Sequence, residues 1–172
     1  MPVIFIDGND LRAAEIRQIL PALELRVEAL QTGFATSAPE PDHKARDKVR
    51  AHAVTAACFA EAVDLTTMDG KSLRLELDSH NDIRFCKYLR ETPAQMELRV
   101  AVRREGSDQI EVIAASCKGQ IADKPVGPLI LGWDRLFVPD DEDATLAALT
   151  AAGQVTGFRR EAYAAVARAL GL

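Results

Sequence analysis

Cysteine is scarce: Cys58, Cys86 and Cys117 are the only three, and none forms a C-x-x-C pair. An odd, scattered set argues against a disulfide framework or a thiolate zinc site and fits a reducing compartment. The three histidines, His43, His52 and His80, follow no zinc spacing such as H-E-x-x-H and read as surface residues. Long apolar runs are absent. Pro128-Leu129-Ile130-Leu131 is among the longest, and a membrane helix needs about 20 such residues. The opening Met1–Asp7 lacks the basic start of a secretory signal, so a cytoplasmic protein is expected. Positive charge is also in deficit: 21 basic against 26 acidic residues leave a net charge of -5. Nucleic acid is therefore not an expected partner, because phosphate neutralisation dominates such binding. Neither a G-x-S-x-G elbow nor a Walker loop is present.

What is there is globular. The chain has 172 residues, 48% of them hydrophobic, enough to bury a sizeable core without staples. One domain over 1–172 is expected, as two lobes sharing one sheet. Pro2–Ile6 reads as a strand, Asp7-Gly8-Asn9 as a turn, and Leu11, Ile16, Ile19 and Leu20 as a helix face that stops at Pro21. Leu25, Val27 and Ala29 alternate with charges, which predicts a second strand. Residues 31–41 read as loop. An alanine-rich helix is predicted over 42–60, with Val49, Ala53, Ala56, Ala57 and Ala60 as its apolar stripe. Two strands, 63–68 and 73–77, flank the hairpin pair Asp69-Gly70, and a short helix follows over 81–89. Leu98–Val102 and Ile110–Ala114 alternate as a hairpin around 105–108, Leu136–Val138 reads as a short strand, and helices near 143–151 and 159–170 finish the chain. This order implies an α/β fold with a mixed sheet.

The first turn admits two readings. A strand, a glycine turn and a helix start place backbone N–H groups and the positive helix end at one spot, which suits an anion. Arg12, one turn in, adds a guanidinium suited to phosphate. Equally, Gly8 makes the turn and Asn9 caps the helix.

Four stretches bring in a resemblance. Val3–Ile16 (VIFIDGNDLRAAEI) looks like the T/S-G-N-x-x-K-x-x-E-I opening of the inosine/xanthosine triphosphate pyrophosphatase family. The 44–53 helix resembles that family's N-A-x-x-K-A helix, with Lys48 on the lysine. Pro125-Val126-Gly127, then Leu131–Pro139 (LGWDRLFVP), is similar to its P-R-G and F-G-Y/W-D-P-x-F-x-P run. Thr145–Leu149 and Gly157–Ala162 resemble T-x-A-E-L and S-H-R-x-x-A.

The resemblance implies a long central mixed sheet with two lobes, flanking helices and an active-site cleft between the lobes. It implies hydrolysis of deaminated purine triphosphates to monophosphate and pyrophosphate, with Mg²⁺, in a homodimer. Gly8, Asn9, Arg12 and Lys48 would meet phosphate; Trp133, Asp134 and Arg159 would meet the base. The catalytic aspartate of the family's E/D-D-S/T-G-L turn falls on Asp69 in one register and on Asp64 in the other, with Asp69 preferred. Asp69, Asp7 and Glu40 are the metal-ligand candidates, Thr36 standing near the family's acidic loop ligand. Several chemistry positions depart from the family: Asp7 replaces a hydroxyl residue, Leu131 an aromatic base stack and Phe158 a histidine, and a phosphate-contacting lysine is missing near 152–154. The alternative is a fold relative that binds a nucleotide or a partner protein without efficient turnover.

Overall fold

A computed structural model describes residues 2–30, 40–52 and 55–172. Its strands are β1 (Val3–Ile6), β2 (Leu25–Glu28), β3 (Cys58–Thr67), β4 (Pro93–Arg103), β5 (Ile110–Ile121) and β6 (Phe137–Pro139). They form one sheet in the order β2-β1-β3-β4-β5-β6. The sheet is mixed: β1 pairs parallel with β2 and with β3, while β5 and β6 are antiparallel. The helices are α1 (Asp10–Ile19), α2 (Pro41–Ala51), α3 (Arg74–Ser79), α4 (Asp82–Leu89), α5 (Leu146–Ala151) and α6 (Gly157–Leu170). A 3-10 segment over Leu129–Leu136 is kinked at Gly132, where φ is +53°.

The chain divides into two compact units. The first comprises Met1–Val63, Leu98–Ala115 and Gly157–Leu172, the second Asp64–Glu97 and Ser116–Thr156. In the first unit both faces of β1 are buried. Val3 and Phe5 pack with Ile16, Phe59, Tyr163 and Val166, while Ile4 and Ile6 pack with Ala45, Val49 and Ala60. A strand covered on both sides reads as a continuous apolar run rather than an alternation. Phe5 stacks on Phe59 at 4.9 Å between ring centroids, and Tyr163 meets Phe59 edge-on at 6.3 Å.

Two element predictions are corrected. The helix predicted over 42–60 ends at Ala51, and Cys58–Thr67 is a strand. Cys58, Phe59 and Ala60 are buried in succession, so this strand carries no period-2 signal and its alanines mimic a helical stripe. Ala53 lies outside the described residues, as do 31–39 with Thr36. The strand predicted over 73–77 is helix α3. Leu73 and Leu77 are buried while Leu75 is exposed; over five residues, apolar spacings of two and four cannot be told apart. The hairpin turn does form, closed by a bridge between Thr66 and Ser72 with Gly70 at φ +88°.

In the second unit, Cys86 is fully buried on α4. Burial, aided by Asp82 and Asp123 and opposed by Arg135, raises its thiol from 9.0 to about 11. The fold thus favours the neutral thiol, so its contribution is intact below pH 9 and is lost as pH rises from about 9 towards 11. The stability difference between wild type and Cys86→Ala, from urea unfolding, should narrow across that window. A flat difference contradicts it.

Candidate active site

The β1–α1 turn is built by three residues with distinct jobs. Asp7 sits at φ +55°, a left-handed conformation that aspartate adopts more readily than most side chains. Its N–H donates to the Glu28 carbonyl at 2.7 Å. Gly8 lies against the Phe5 ring, and a Cβ there would overlap ring carbons. Asn9 caps α1: its Oδ1 accepts from the Arg12 N–H at 2.9 Å and its carbonyl accepts from the Ala13 N–H. The N–H groups of Asp10 and Leu11 have no partner inside the helix. The turn is thus capped and packed, and it ends in the N-terminus of α1. Gly8→Ala should cost about 1–3 kcal/mol, since Phe5 is already wedged against Phe59; an unchanged denaturation midpoint contradicts the close packing.

Charged side chains gather at this turn. From α2, Lys48 places its Nζ 2.7 Å from Asp7 Oδ2 and 3.1 Å from the Glu61 carbonyl oxygen. It is neither fully solvated nor idle. Arg12 and Glu15, one turn apart on α1, pair with each other. Arg12 Nε lies 3.7 Å from Glu61 Oε2, and Arg159 Nη1 lies 3.3 Å from Glu61 Oε1. The Arg159 guanidinium also faces the Phe158 ring at 5.3 Å. Each oxygen of Glu61 therefore meets one arginine. The expected phosphate fork Arg12 and base reader Arg159 are only 4% and 1% exposed. Their guanidinium groups face these carboxylates inside the first unit, so contact with a ligand requires them to move.

Glu61 and Glu15 were missed as site residues. Glu15 lies inside the opening motif, but nothing in the sequence marks it as Arg12's partner. Glu61 fell at the end of the predicted 42–60 helix, where an exposed acid attracts no notice. His52, read as a surface residue, is buried at the end of α2, with Nε2 3.0 Å from Glu28 Oε2. That spacing suits an ion pair, although the ring's orientation makes no hydrogen bond of it. His43 and His80 are exposed as predicted.

The second unit holds the remaining candidates. Asp69 is exposed in its turn, where the Thr67 hydroxyl donates to its carboxylate and holds it below the usual carboxylate range. Asp64 is buried; its Oδ1 accepts from the Ser72 hydroxyl at 2.9 Å and the Leu65 N–H at 3.0 Å, with Arg74 Nη2 at 4.0 Å. All three contacts fall on one oxygen. Trp133 is half-buried rather than a core residue, with the Arg74 guanidinium 4.9 Å over its ring. Asp134 is buried, and so is Leu131, which offers little surface to a base.

The metal-ligand candidates were tested against this geometry. Asp7 is engaged by Lys48, Asp69 by its own turn, and Glu40 is exposed at the start of α2 with His43 Nδ1 at 3.5 Å. Among the described residues, no group of three or more histidine, cysteine, aspartate or glutamate side chains is placed to hold a metal ion. The described side chains alone form no resident Mg²⁺ cage.

Solved structures share this fold. The Ham1 protein of Staphylococcus aureus superposes with a TM-score of 0.61 at 18% identity, covering 98% of each chain. A HAM1 protein from Coxiella burnetii gives 0.62 at 16%, covering 99% of this chain and 95% of that one. A nucleoside-triphosphatase / dITP/XTP pyrophosphatase from Mycobacterium abscessus gives 0.53 at 19%, covering 99% and 96%. No curated protein matches the chain significantly. The model of the Ham1 family matches residues 3–168, which takes in the β1–α1 turn, Lys48, Glu61, both candidate aspartates, Trp133 and Arg159. The resemblance read from the sequence is thereby borne out: this chain belongs to the Ham1 family.

Proposed function

We propose that the chain is a nucleoside triphosphate pyrophosphatase that splits a nucleotide into the monophosphate and pyrophosphate. The observation that carries this reading is Lys48 at the capped turn, 2.7 Å from Asp7. A carboxylate facing a triphosphate is repulsive; here an ammonium answers it, and two of the three ammonium protons are engaged by Asp7 and the Glu61 carbonyl. The third, with the N–H groups of Asp10 and Leu11 and the helix dipole, is offered to phosphate. Gly8 and Asn9 shape that site, and Arg12 lies directly behind it. The name of the Mycobacterium abscessus structure supports the reaction class.

Any Mg²⁺ arrives as the counter-ion of the nucleotide's own phosphates, since the described side chains form no cage for it. In the reaction a water attacks the α-phosphorus, the bond to the bridging oxygen breaks and pyrophosphate leaves. The water's proton passes to an aspartate. Asp64 suits this better than Asp69, because its donors hold it on one oxygen while Asp69 serves its turn. Trp133 and Asp134 are assigned to the base side. A homodimer in the cytoplasm accompanies the proposal; among the described residues no helix is long and apolar enough to cross a membrane.

The test is a panel of purine and pyrimidine triphosphates with Mg²⁺, assayed for pyrophosphate. Release is expected with at least one, falling by about 100-fold or more in Asp64→Asn and little in Asp69→Asn. The reverse order of the two variants restores Asp69. No release from any triphosphate overturns the enzyme reading. The enclosure of Arg12 and Arg159 favours the second reading, binding without turnover. A thermal shift by a nucleotide that is not hydrolysed would establish that reading.

A further inference from the structure

Most of the chain's substantially buried arginines have a hydrogen-bond or close ion-pair partner. Arg46 donates to the Ile110 carbonyl, Arg99 meets Asp42 at 2.7 Å, Arg103 donates to the His52 carbonyl and Arg135 meets Asp82 at 2.8 Å. Arg74 differs. Its side chain is 23% exposed, its one charge partner is Asp64 at 4.0 Å, and its buried Nε has no acceptor among the described residues. Leaving a buried donor without an acceptor destabilises a structure. The guanidinium carbon nevertheless lies over the Trp133 ring, 4.9 Å from its centroid. A guanidinium carries five N–H donors in one plane, so a single distant carboxylate does not use them all. The start of α3 is tied to the same carboxylate: the Arg74 backbone N–H donates to Ser72 Oγ at 3.3 Å, and the Ser72 hydroxyl donates to Asp64. An aromatic side chain and a partly exposed guanidinium whose charge partner is 4.0 Å away, side by side, suit a planar ring that carries an oxygen acceptor.

We propose that Arg74 is a specificity-determining residue that donates to an oxo group of a nucleobase bound beside Trp133. This rests on the nucleotide reading above and gives it a base-selecting residue that the sequence comparison did not assign. It also fits the loss of the expected contacts, since Leu131 and Arg159 are both buried. A base with an amino group in place of the oxo group leaves the Arg74 donors unmatched, so discrimination comes from the penalty of unpaired polar groups.

Trp133 is the only tryptophan in the chain, so its fluorescence reads this spot directly and without turnover. Titrate the full chain with inosine and with adenosine. The 6-oxo nucleoside should quench at about tenfold lower concentration than the 6-amino one, a difference of the size of one charge-assisted hydrogen bond. Arg74→Met, which keeps the stem and removes the donors, should abolish that difference, and Arg74→Lys should not restore it. Matching melting temperatures would confirm that the variants fold. An oxo preference that survives in Arg74→Met overturns the assignment, as does equal quenching by both nucleosides in wild type. A silent Trp133 in a chain that releases pyrophosphate from inosine triphosphate overturns the Arg74 role alone. Silence with no release from any triphosphate overturns both proposals.

Discussion

Glu61→Leu should lower the free energy of unfolding by about 3–5 kcal/mol, the typical cost of removing one partner from a buried charge cluster. The reason is local. Arg12 and Arg159 are 4% and 1% exposed, and each faces one oxygen of Glu61. Without the carboxylate, Arg12 keeps Glu15, but Arg159 loses the carboxylate at 3.3 Å and sits almost out of reach of water. At about 2–4 °C per kcal/mol for a chain of this size, the melting temperature should fall by roughly 10 °C. Adding Arg159→Met should recover part of the loss, because the buried charge that Glu61 had faced is then gone. A double-mutant cycle reads that coupling, for which about 0.5–3 kcal/mol is expected. A single-variant loss under about 1 kcal/mol would mean that water reaches the clamp as it reaches a surface pair.

This clamp also marks where sequence reading stops. The first turn was legible because its signals are local: Asn9 precedes the helix it caps, and Gly8 is three residues from the ring it must clear. The Asp69-Gly70 turn, the hairpin around 105–108 and the last two helices follow the same logic. Glu61 was not legible, because its partners lie 49 and 98 positions away along the chain. Nothing in the periodicity of β3 announces that its acid points at two arginines. The buried strand itself was hidden, since alanines enclosed by both layers look like a helix stripe. Arg12 and Arg159 show the same limit: their place in the resembling motifs assigns them to a ligand, while the carboxylates they face in the fold are set by packing that the motifs do not show. The likeness to Ham1 proteins survives these errors, since the turn, the lysine helix and the G-W-D segment are set by backbone shape rather than by the side chains that have changed.

Lys48→Met separates the catalytic proposal from that structural frame. Lys48 is 20% exposed and Asp7 is 44% exposed, so the pair itself adds only about 1 kcal/mol to folding. The effect on pyrophosphate release should be much larger, about 100-fold to 1,000-fold in kcat/KM, because two losses combine. A donor to the phosphate is removed, and the Asp7 carboxylate is left facing the same anion unanswered. The second loss can be undone separately: Asp7→Asn in the Lys48→Met background removes the repulsion and should recover about tenfold of activity. Asp7→Asn alone frees the ammonium for phosphate and should cost little. If Lys48→Met stays within about threefold of wild type while folding normally, the triphosphate does not bind at the β1–α1 turn. The charge arrangement there would then serve only to hold α2 against the sheet.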